Sequence, residues 1–248
     1  MYKRVVHASE DFEAPSEVLE RMQNPAFDSG HIDETSLSGL KRHDVSRHHY
    51  RYLKRLIDIV GSVIGLFILF LPLCLVALVI YVDDPGPVFF RQHRVGLHGK
   101  RFRVYKFRSM KTHTPKYMST MNVEDPTRYI TRVGKWIRKL SIDELPQLFN
   151  VLIGDMSFVG PRPLISDEYE IHQVRMKYGV YTTKPGITGL AQIHGRDRVS
   201  PEDKIRWDVM YLEKYGFWND IKILLATIPL ILGGYGVAEG FDSTKKSA

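Results

Sequence analysis

Two adjacent acids, Asp143 and Glu144, are the residues of this sequence best suited to chemistry. They follow a basic segment, residues 91–139, which contains 14 Lys and Arg and only 2 Asp and Glu. A carboxylate can attack phosphorus to form an acyl phosphate, which divides a difficult displacement into two steps. A neighbouring carboxylate can bind Mg²⁺, a cation that prefers oxygen ligands and substrate phosphates. The acidic pair beside the basic segment therefore suggests phosphoryl-transfer chemistry.

A structural role for Glu144 competes with this chemical one. Ser141 and Glu144 match the S-x-x-E capping box that begins many helices, and in that role Glu144 would only satisfy backbone N–H groups. Pro146 argues against the box, because as the fifth helical residue it would clash with the carbonyl of Ile142. Spacing alone leaves both roles open, with the helix either kinked at Pro146 or beginning after it.

Basic residues near the acidic pair are candidates for binding substrate phosphates: Lys106, Arg108, Arg138, Arg162 and Arg196. Arg162 has a proline on each side, so its backbone is stiff and its guanidinium can grip a phosphate with two hydrogen bonds. Lys106 and Arg108 end a β-like run, and Arg196 follows a glycine turn. Each of these residues taken singly fits a solvated surface position equally well.

Other kinds of metal or redox site find little support in the sequence. Cys74 is the single cysteine, which excludes a disulfide framework and any multi-cysteine zinc or iron–sulfur site. The ten histidines show no spacing typical of metal ligands. Asp208 and Asp220 fit two roles, either as further metal ligands or as partners of the nearby Arg206 and Lys222.

The formal net charge of +7 is distributed unevenly along the 248 residues. Residues 1–46 carry 5 basic and 9 acidic side chains, whereas residues 47–248 carry 30 and 19. The basic segment alone has a net charge of +12, from its 14 basic and 2 acidic residues. This concentration predicts an anionic partner, which is nucleic acid, a membrane face or a phosphorylated substrate.

An uncharged run of 24 residues, 59–82, is long enough for a helix in the hydrocarbon core of a membrane. Arginine and lysine flank the run on both sides, which favours the cytoplasmic face for both ends. Pro72 lies near its midpoint and lacks the backbone N–H that a helix needs, so a kink is expected there. We favour a re-entrant helix broken at Pro72 over a straight crossing.

The remaining sequence predicts an α+β fold that is mostly helical. Two β-like runs, 88–92 and 101–107, suggest a small β-hairpin, and apolar spacing predicts helices over 131–153 and 166–178. The apolar stretch 223–232 is too short to span a membrane and suits an interfacial amphipathic helix. The predicted organisation has four parts: a flexible acidic tail over 1–46, a membrane-inserted helix over 47–84, a cytoplasmic-face catalytic domain over 85–240 and a polar C-terminal tail over 241–248.

Five motifs in their order along the chain resemble the bacterial sugar transferase family, the monotopic phosphoglycosyl transferases. They are PGPVFFRQHRVG (85–96), YKFRSM (105–110), SIDELPQLFNVLIGDMSFVGPRPL (141–164), KPGITGLAQIHGR (184–196) and WNDIKIL (218–224). The long acidic-pair motif and the Pro-Arg-Pro motif are highly specific. The resemblance leaves residues 1–46 outside, and the chain looks like the minimal catalytic form of the family, without the extra transmembrane domain of larger members.

The resemblance implies an enzyme at the cytoplasmic face of the bacterial inner membrane. Such enzymes transfer a sugar 1-phosphate from a UDP-sugar to undecaprenyl phosphate, release UMP, and so initiate exopolysaccharide, capsule or O-antigen assembly. The resemblance implies that Asp143 is the covalent nucleophile and that Glu144 helps to bind Mg²⁺. It further implies these phosphate-binding residues: Lys106, Arg138, Arg162 and, less directly, Arg196.

The resemblance also implies a re-entrant helix broken at proline, which maps to Pro72. Members often carry serine before that proline, whereas this chain has Leu71. A serine hydroxyl can satisfy a carbonyl that the proline frees, and leucine cannot. The departure leaves the mechanism of the break open.

Three rival functions can be separated from this one. A membrane-anchored nucleic-acid-binding protein would use the aromatics of the basic segment, but it leaves the acidic pair and the Pro-Arg-Pro motif unexplained, so no nucleic-acid partner is expected. A polytopic transferase that attacks directly needs many spans, and the sequence has one long apolar run. A structural scaffold would not depend on Asp143. The sequence does not identify the sugar, and it leaves monomer and homodimer open.

Overall fold

The computed structural model describes residue 32 and residues 34–114, 126–166, 168–194 and 200–233. The α-helices of this part of the chain are α1 (Tyr50–Asp83), α2 (Arg132–Lys139), α3 (Gln147–Ile153), α4 (Tyr169–Lys177), α5 (Leu190–Ile193), α6 (Pro201–Glu213) and α7 (Phe217–Gly233). The strands are β1 (Phe89–Val95), β2 (Arg101–Phe107), β3 (Ser157–Val159) and β4 (Gly186–Thr188). The described residues are therefore mostly helical, as predicted. The predicted C-terminal tail over 241–248 lies outside them.

Helix α1 contains the whole uncharged run, and among the described helices it alone is long and apolar enough to cross a membrane. We expected the helix to break at Pro72, but its backbone stays helical through this residue. The reason is that proline removes one hydrogen bond and bends a helix without having to end it. The centre of α1 has little protein around it, since Phe67 is 84% exposed and Leu71 is 75% exposed.

Both ends of α1 contact the rest of the described structure, unlike its centre. Near the amino end, the Asp58 carboxylate accepts hydrogen bonds from the Ser157 hydroxyl at 2.9 Å and the Phe158 backbone N–H at 3.0 Å. Near the carboxyl end, Ile80 is buried in a cluster with Phe107 and Ile137. The helix is thereby fastened to β3 at one end and to α2 and β2 at the other.

The strands form two small sheets rather than the single pair that the sequence suggested. Strands β1 and β2 pair antiparallel, with Phe89 opposite Phe107, and β1 runs to Val95, three residues past the predicted run. Strands β3 and β4 pair in parallel, and neither was predicted as a strand. Segments of three residues carry no measurable periodicity, so their pairing depends on contacts that are distant in sequence.

The predicted flexible tail over 1–46 is too long, because residues 34–46, here called the N-terminal strap, pack against the domain. Leu37 is fully buried and Val45 nearly so, both in a cluster that includes Val174, Ile205 and Val209. Backbone hydrogen bonds fasten the strap as well, including one from the His43 N–H to the Tyr178 carbonyl at 3.2 Å. Leu37 and Val45 are eight positions apart and make no periodic pattern, so the packing of the strap could not be predicted from the sequence.

Candidate active site

The acidic pair lies on a short turn between two helices rather than inside one helix. Helix α2 ends at Lys139, and Ser141 then adopts the left-handed region with φ of 55°. A single 3₁₀ turn over Ile142–Glu144 follows, and α3 begins at Gln147, after Pro146. The helical prediction over 131–153 therefore holds for α2 and α3 but not for one unbroken helix, and of the two possibilities at Pro146 the start after the proline is confirmed. The left-handed serine ends the first helix, and the proline is tolerated because it precedes the second.

The Glu144 carboxylate is held by two cations from other parts of the fold. Its Oε1 atom accepts a hydrogen bond from the Lys106 ammonium at 2.7 Å and lies 3.4 Å from two nitrogens of the Arg162 guanidinium. The Ser141 side chain makes no helix-capping hydrogen bond. The capping-box interpretation is therefore wrong, and Glu144 belongs to a cluster of charges contributed by β2, the turn and residues 161–163, here called the Pro-Arg-Pro loop.

The environment of Asp143 makes its carboxylate unusually basic. Burial first, and then the negative charge of Glu144, raises the pKa of Asp143 to about 6, although Lys106, Arg138 and Arg162 act in the opposite direction. Among the described residues, none makes a hydrogen bond to this carboxylate. At neutral pH most Asp143 side chains are still ionised, and the raised pKa makes the carboxylate a better nucleophile than an ordinary one.

The Pro-Arg-Pro loop is positioned by the parallel strands β3 and β4. The Gly160 N–H donates to the Thr188 carbonyl at 2.9 Å, and the Gly186 N–H donates to the Pro161 carbonyl at 3.0 Å. At this crossing the backbones are too close for side chains, because a Cβ on Gly160 would lie 2.4 Å from the Lys184 carbonyl oxygen. The glycines of the two motifs therefore allow the approach that presents Arg162.

A buried ion pair supports the same loop from behind. Arg175 on α4 is 1% exposed and pairs with Asp208 on α6, which is 2% exposed. The Arg175 guanidinium also donates to the backbone carbonyl of Arg162 at 2.9 Å. Asp208 is therefore neither a metal ligand at the acidic pair nor a partner of Arg206. Sequence reasoning missed this support because the two residues are 33 positions apart.

Asp220 also has a structural partner that the sequence did not suggest. It forms an ion pair with Lys54 of α1 and accepts a hydrogen bond from the Tyr211 hydroxyl at 3.0 Å. Both members of the ion pair are buried. Asp220 therefore links α1, α6 and α7, and it is not a partner of Lys222.

Asn150 on α3 positions Lys106 and was missed in the sequence. Its amide donates to the Arg103 carbonyl at 2.7 Å, and its side-chain oxygen accepts from the Tyr105 N–H at 3.0 Å. These bonds fix the free edge of β2 one residue before Lys106. The available signal was an uncharged polar residue in the apolar stretch LFNVLI (148–153), since a buried amide needs partners.

The other predicted phosphate-binding residues do not all meet at the acidic pair. Arg138 is one of the cations beside the acidic pair, since its positive charge acts to lower the pKa of Asp143. The Nε of Arg138 donates a hydrogen bond to the Ser109 hydroxyl at 2.7 Å. Arg108 is buried and instead contacts Asp84, with a nitrogen 3.5 Å from the carboxylate. Arg196 lies outside the described residues.

The acidic pair fits the ligand chemistry of Mg²⁺. Within the described ranges, no group of three or more His, Cys, Asp and Glu side chains lies together, so Asp143 and Glu144 are the carboxylates available at this turn. In enzymes that act on phosphates, Mg²⁺ is commonly bound by one or two carboxylates, with the remaining ligands supplied by substrate phosphates and water. Two carboxylates with the basic side chains of Lys106, Arg138 and Arg162 around them are compatible with that arrangement.

Comparison with known proteins gives one family and several named relatives. Residues 49–234 match the family model described as bacterial sugar transferase. The chain is 43% identical over 211 residues to the galactosyl transferase CpsE of Streptococcus agalactiae serotype III (strain NEM316), covering 77% of this chain and 45% of that protein. It is 38% identical over 231 residues to the undecaprenyl-phosphate galactose phosphotransferase of Salmonella typhimurium (strain LT2), covering 84% and 48%.

A shorter relative matches over nearly its whole length. The sugar transferase EpsL of Bacillus subtilis (strain 168), whose name calls it uncharacterized, is 43% identical over 192 residues, which cover 77% of this chain and 91% of that protein. By contrast, the chain spans about half the length of the two larger relatives. The family match includes α1, the acidic pair and the Pro-Arg-Pro loop, and it leaves the N-terminal strap outside. This chain belongs to the bacterial sugar transferase family.

Proposed function

We propose that this protein transfers a sugar 1-phosphate from a UDP-sugar to undecaprenyl phosphate and releases UMP. The observation that carries the proposal is the acidic pair of Asp143 and Glu144, surrounded by Lys106, Arg138 and Arg162, in a domain that carries one long exposed apolar helix. Names of relatives, among them UDP-glucose:undecaprenyl-phosphate glucose-1-phosphate transferase, support both substrates. The reaction would be the first membrane step of exopolysaccharide, capsule or O-antigen assembly.

The chemistry divides into two displacements at one phosphorus atom. A carboxylate oxygen of Asp143 attacks the phosphorus that bears the sugar, the bond from that phosphorus to the bridging oxygen breaks, and UMP leaves with that oxygen. An oxygen of undecaprenyl phosphate then attacks the same phosphorus and expels the Asp143 carboxylate in its original form. The raised pKa of Asp143 supports this role, since the carboxylate is ionised at neutral pH yet more basic than usual.

The surrounding charges lower the cost of bringing two phosphorylated substrates together. Lys106 and Arg162 already converge on Glu144, and Arg138 lies close enough to affect the charge of Asp143. Glu144 would help to hold Mg²⁺, which when bound would withdraw charge from the transferring phosphoryl group. The chain's own cations would bind and orient the non-bridging oxygens of the diphosphate.

A two-substrate assay tests this function directly. Purified protein in detergent is incubated with Mg²⁺ and each of several UDP-sugars, with and without undecaprenyl phosphate, and UMP is measured. We expect sustained UMP release with at least one UDP-sugar only when undecaprenyl phosphate is present, and its loss on addition of EDTA. Sustained release at the same rate without the lipid acceptor would contradict the proposed transfer.

We further propose that α1 is a re-entrant helix, bent at Pro72, in the cytoplasmic face of the bacterial inner membrane. Support comes from its two ends, which both contact the same domain, and from its exposed apolar centre. Large exposed apolar side chains on other elements, including Trp136 on α2 and Trp218 on α7, fit an interfacial position beside it. Both substrates would then meet at the boundary between lipid and water.

Cysteine labelling can decide the topology of α1. In a Cys74→Ala background, His49→Cys and His93→Cys place single exposed thiols before and after the helix. Because both ends are expected on the cytoplasmic side, a membrane-impermeant maleimide should label both variants in inside-out vesicles and neither in spheroplasts. Labelling of the two positions from opposite sides would show that α1 crosses the membrane.

A further inference from the structure

The carboxyl end of α1 caps the helix that carries Arg138. The first N–H groups of an α-helix have no partner within the helix. In α2 the Thr131 hydroxyl accepts one of them, from Gly134, at 2.8 Å. The Asp83 carboxylate accepts another, from Val133, at 3.0 Å. The start of α2 is therefore held partly by its own sequence and partly by the membrane helix, 50 positions away.

Apolar packing reinforces this contact between α1 and α2. Ile80, one turn before Asp83, is 3% exposed and packs in a cluster with Ile137 of α2, which is 4% exposed. Ile137 directly precedes Arg138 in the sequence. The end of α1 thus contacts α2 both at its first turn and next to its functional arginine, which leaves α2 little freedom to shift along its axis.

The other side of α2 is fixed by Ser109, the residue two positions beyond the end of β2. The Ser109 carbonyl accepts from the Thr131 N–H at 3.1 Å, and its hydroxyl accepts from the Arg138 guanidinium at 2.7 Å. A Cβ on Gly134 would lie 2.0 Å from the Ser109 carbonyl oxygen, so the helix and this backbone are in direct contact. A shift of α2 would consequently change the direction of the Arg138 side chain.

We infer that Asp83 is a positioning residue for Arg138, so that the membrane helix sets the geometry of one phosphate-binding side chain. Asp83 caps α2, α2 carries Arg138, and the Arg138 carbonyl accepts a hydrogen bond at 3.0 Å from the Ser141 N–H, directly before the turn that carries Asp143. The inference rests on the proposed function, because it assigns Arg138 to substrate phosphate. It adds that Asp83 acts through Arg138 and does not itself touch the substrate.

A double-mutant cycle between Asp83 and Arg138 tests the inference. Loss of a helix cap is worth about a fivefold change in an equilibrium, so Asp83→Ala should lower kcat/KM for the UDP-sugar by more than about twofold and at most about fivefold. Asp83→Asn keeps an oxygen that can accept the Val133 N–H and should stay within about twofold of the parent protein. In an Arg138→Lys background, Asp83→Ala should change kcat/KM by less than about twofold, because the guanidinium that it positions is gone.

A matched control separates positioning from loss of stability. Asp44→Ala also removes a hydrogen bond from a backbone N–H to a carboxylate, at Ser46 in the N-terminal strap, where the bond is exposed, whereas that of Asp83 is partly buried. It should leave kcat/KM unchanged in both backgrounds. Additive effects of Asp83→Ala and Arg138→Lys would overturn the inference while leaving the proposed function intact. Full activity of Arg138→Lys and Arg138→Ala would instead overturn the phosphate-binding role of Arg138 and the inference with it.

Discussion

Replacing Asp143 with asparagine is expected to lower the rate of UMP release by at least about a thousandfold, because an amide cannot attack phosphorus as a carboxylate does. The same change should not destabilise the protein. Burial and the charge of Glu144 raise the pKa of Asp143, so the folded state disfavours the ionised carboxylate relative to the unfolded chain. At neutral pH a neutral side chain of the same shape should unfold at an equal or higher temperature.

UMP release and thermal unfolding in detergent, measured on the same preparations, check both parts of this prediction. Asp203→Asn is a suitable control, since Asp203 is an exposed acid on α6 that pairs only loosely with Arg206 at 3.3 Å. It should leave the rate of UMP release at the level of the parent protein. If Asp143→Asn retained more than about a tenth of the parent activity, Asp143 would not be the nucleophile.

Replacing Asp208 with asparagine is expected to cost about 3–5 kcal/mol in the free energy of unfolding, the largest loss of stability predicted for this protein. The substitution leaves the Arg175 guanidinium buried without its opposite charge, and both side chains are about 2% exposed. The Pro-Arg-Pro loop should loosen as well, because the same guanidinium donates to the Arg162 carbonyl at 2.9 Å. The midpoint of denaturant-induced unfolding measures the effect.

Asp203→Asn is again the matched control, because it removes an acid from the same helix but at the surface. Its side chain is 50% exposed and its ion pair spans three positions of one helix, so its loss should cost less than about 0.5 kcal/mol. Equal unfolding midpoints for Asp208→Asn and Asp203→Asn would mean that the buried ion pair contributes nothing to stability.

Two local features of the sequence, clustered charges and an arginine between prolines, explain why part of the site could be predicted. The acidic pair and Arg162 are unusual in local sequence, since adjacent acids follow a basic segment and an arginine lies between two prolines. The structure brings Glu144, Lys106 and Arg162 together. Residue type was sufficient for these three residues, because side chains of opposite charge attract one another once the chain has folded.

Contacts between distant segments account for what the sequence did not show. Arg108 looked equivalent to Lys106 because both end the same β-like run, yet it contacts Asp84 at the end of α1. Leu37 is an isolated apolar residue in an acidic tail, and only the packed surface of α4 and α6 explains its burial. The spacing of residues in the local sequence contains no information about such partners, because the contacts form only when distant helices pack together.

Backbone conformation accounts for the division of the helix around the acidic pair. Apolar spacing predicted a helical segment over 131–153, with a kink at Pro146 or a start after it as the two possibilities. The left-handed Ser141 divides it, and serine rarely adopts that conformation without tertiary support. The strained residue lies two positions before Asp143, which agrees with the tendency of such conformations to occur at functional sites.

Intact-protein mass spectrometry after incubation with a UDP-sugar and Mg²⁺, without undecaprenyl phosphate, tests the central claim most directly. We expect one covalent adduct with the mass of a sugar phosphate, mapped to Asp143, lost on addition of undecaprenyl phosphate and absent in Asp143→Asn. UMP release that proceeds with no adduct on the parent protein, or an adduct that persists in Asp143→Asn, would contradict it.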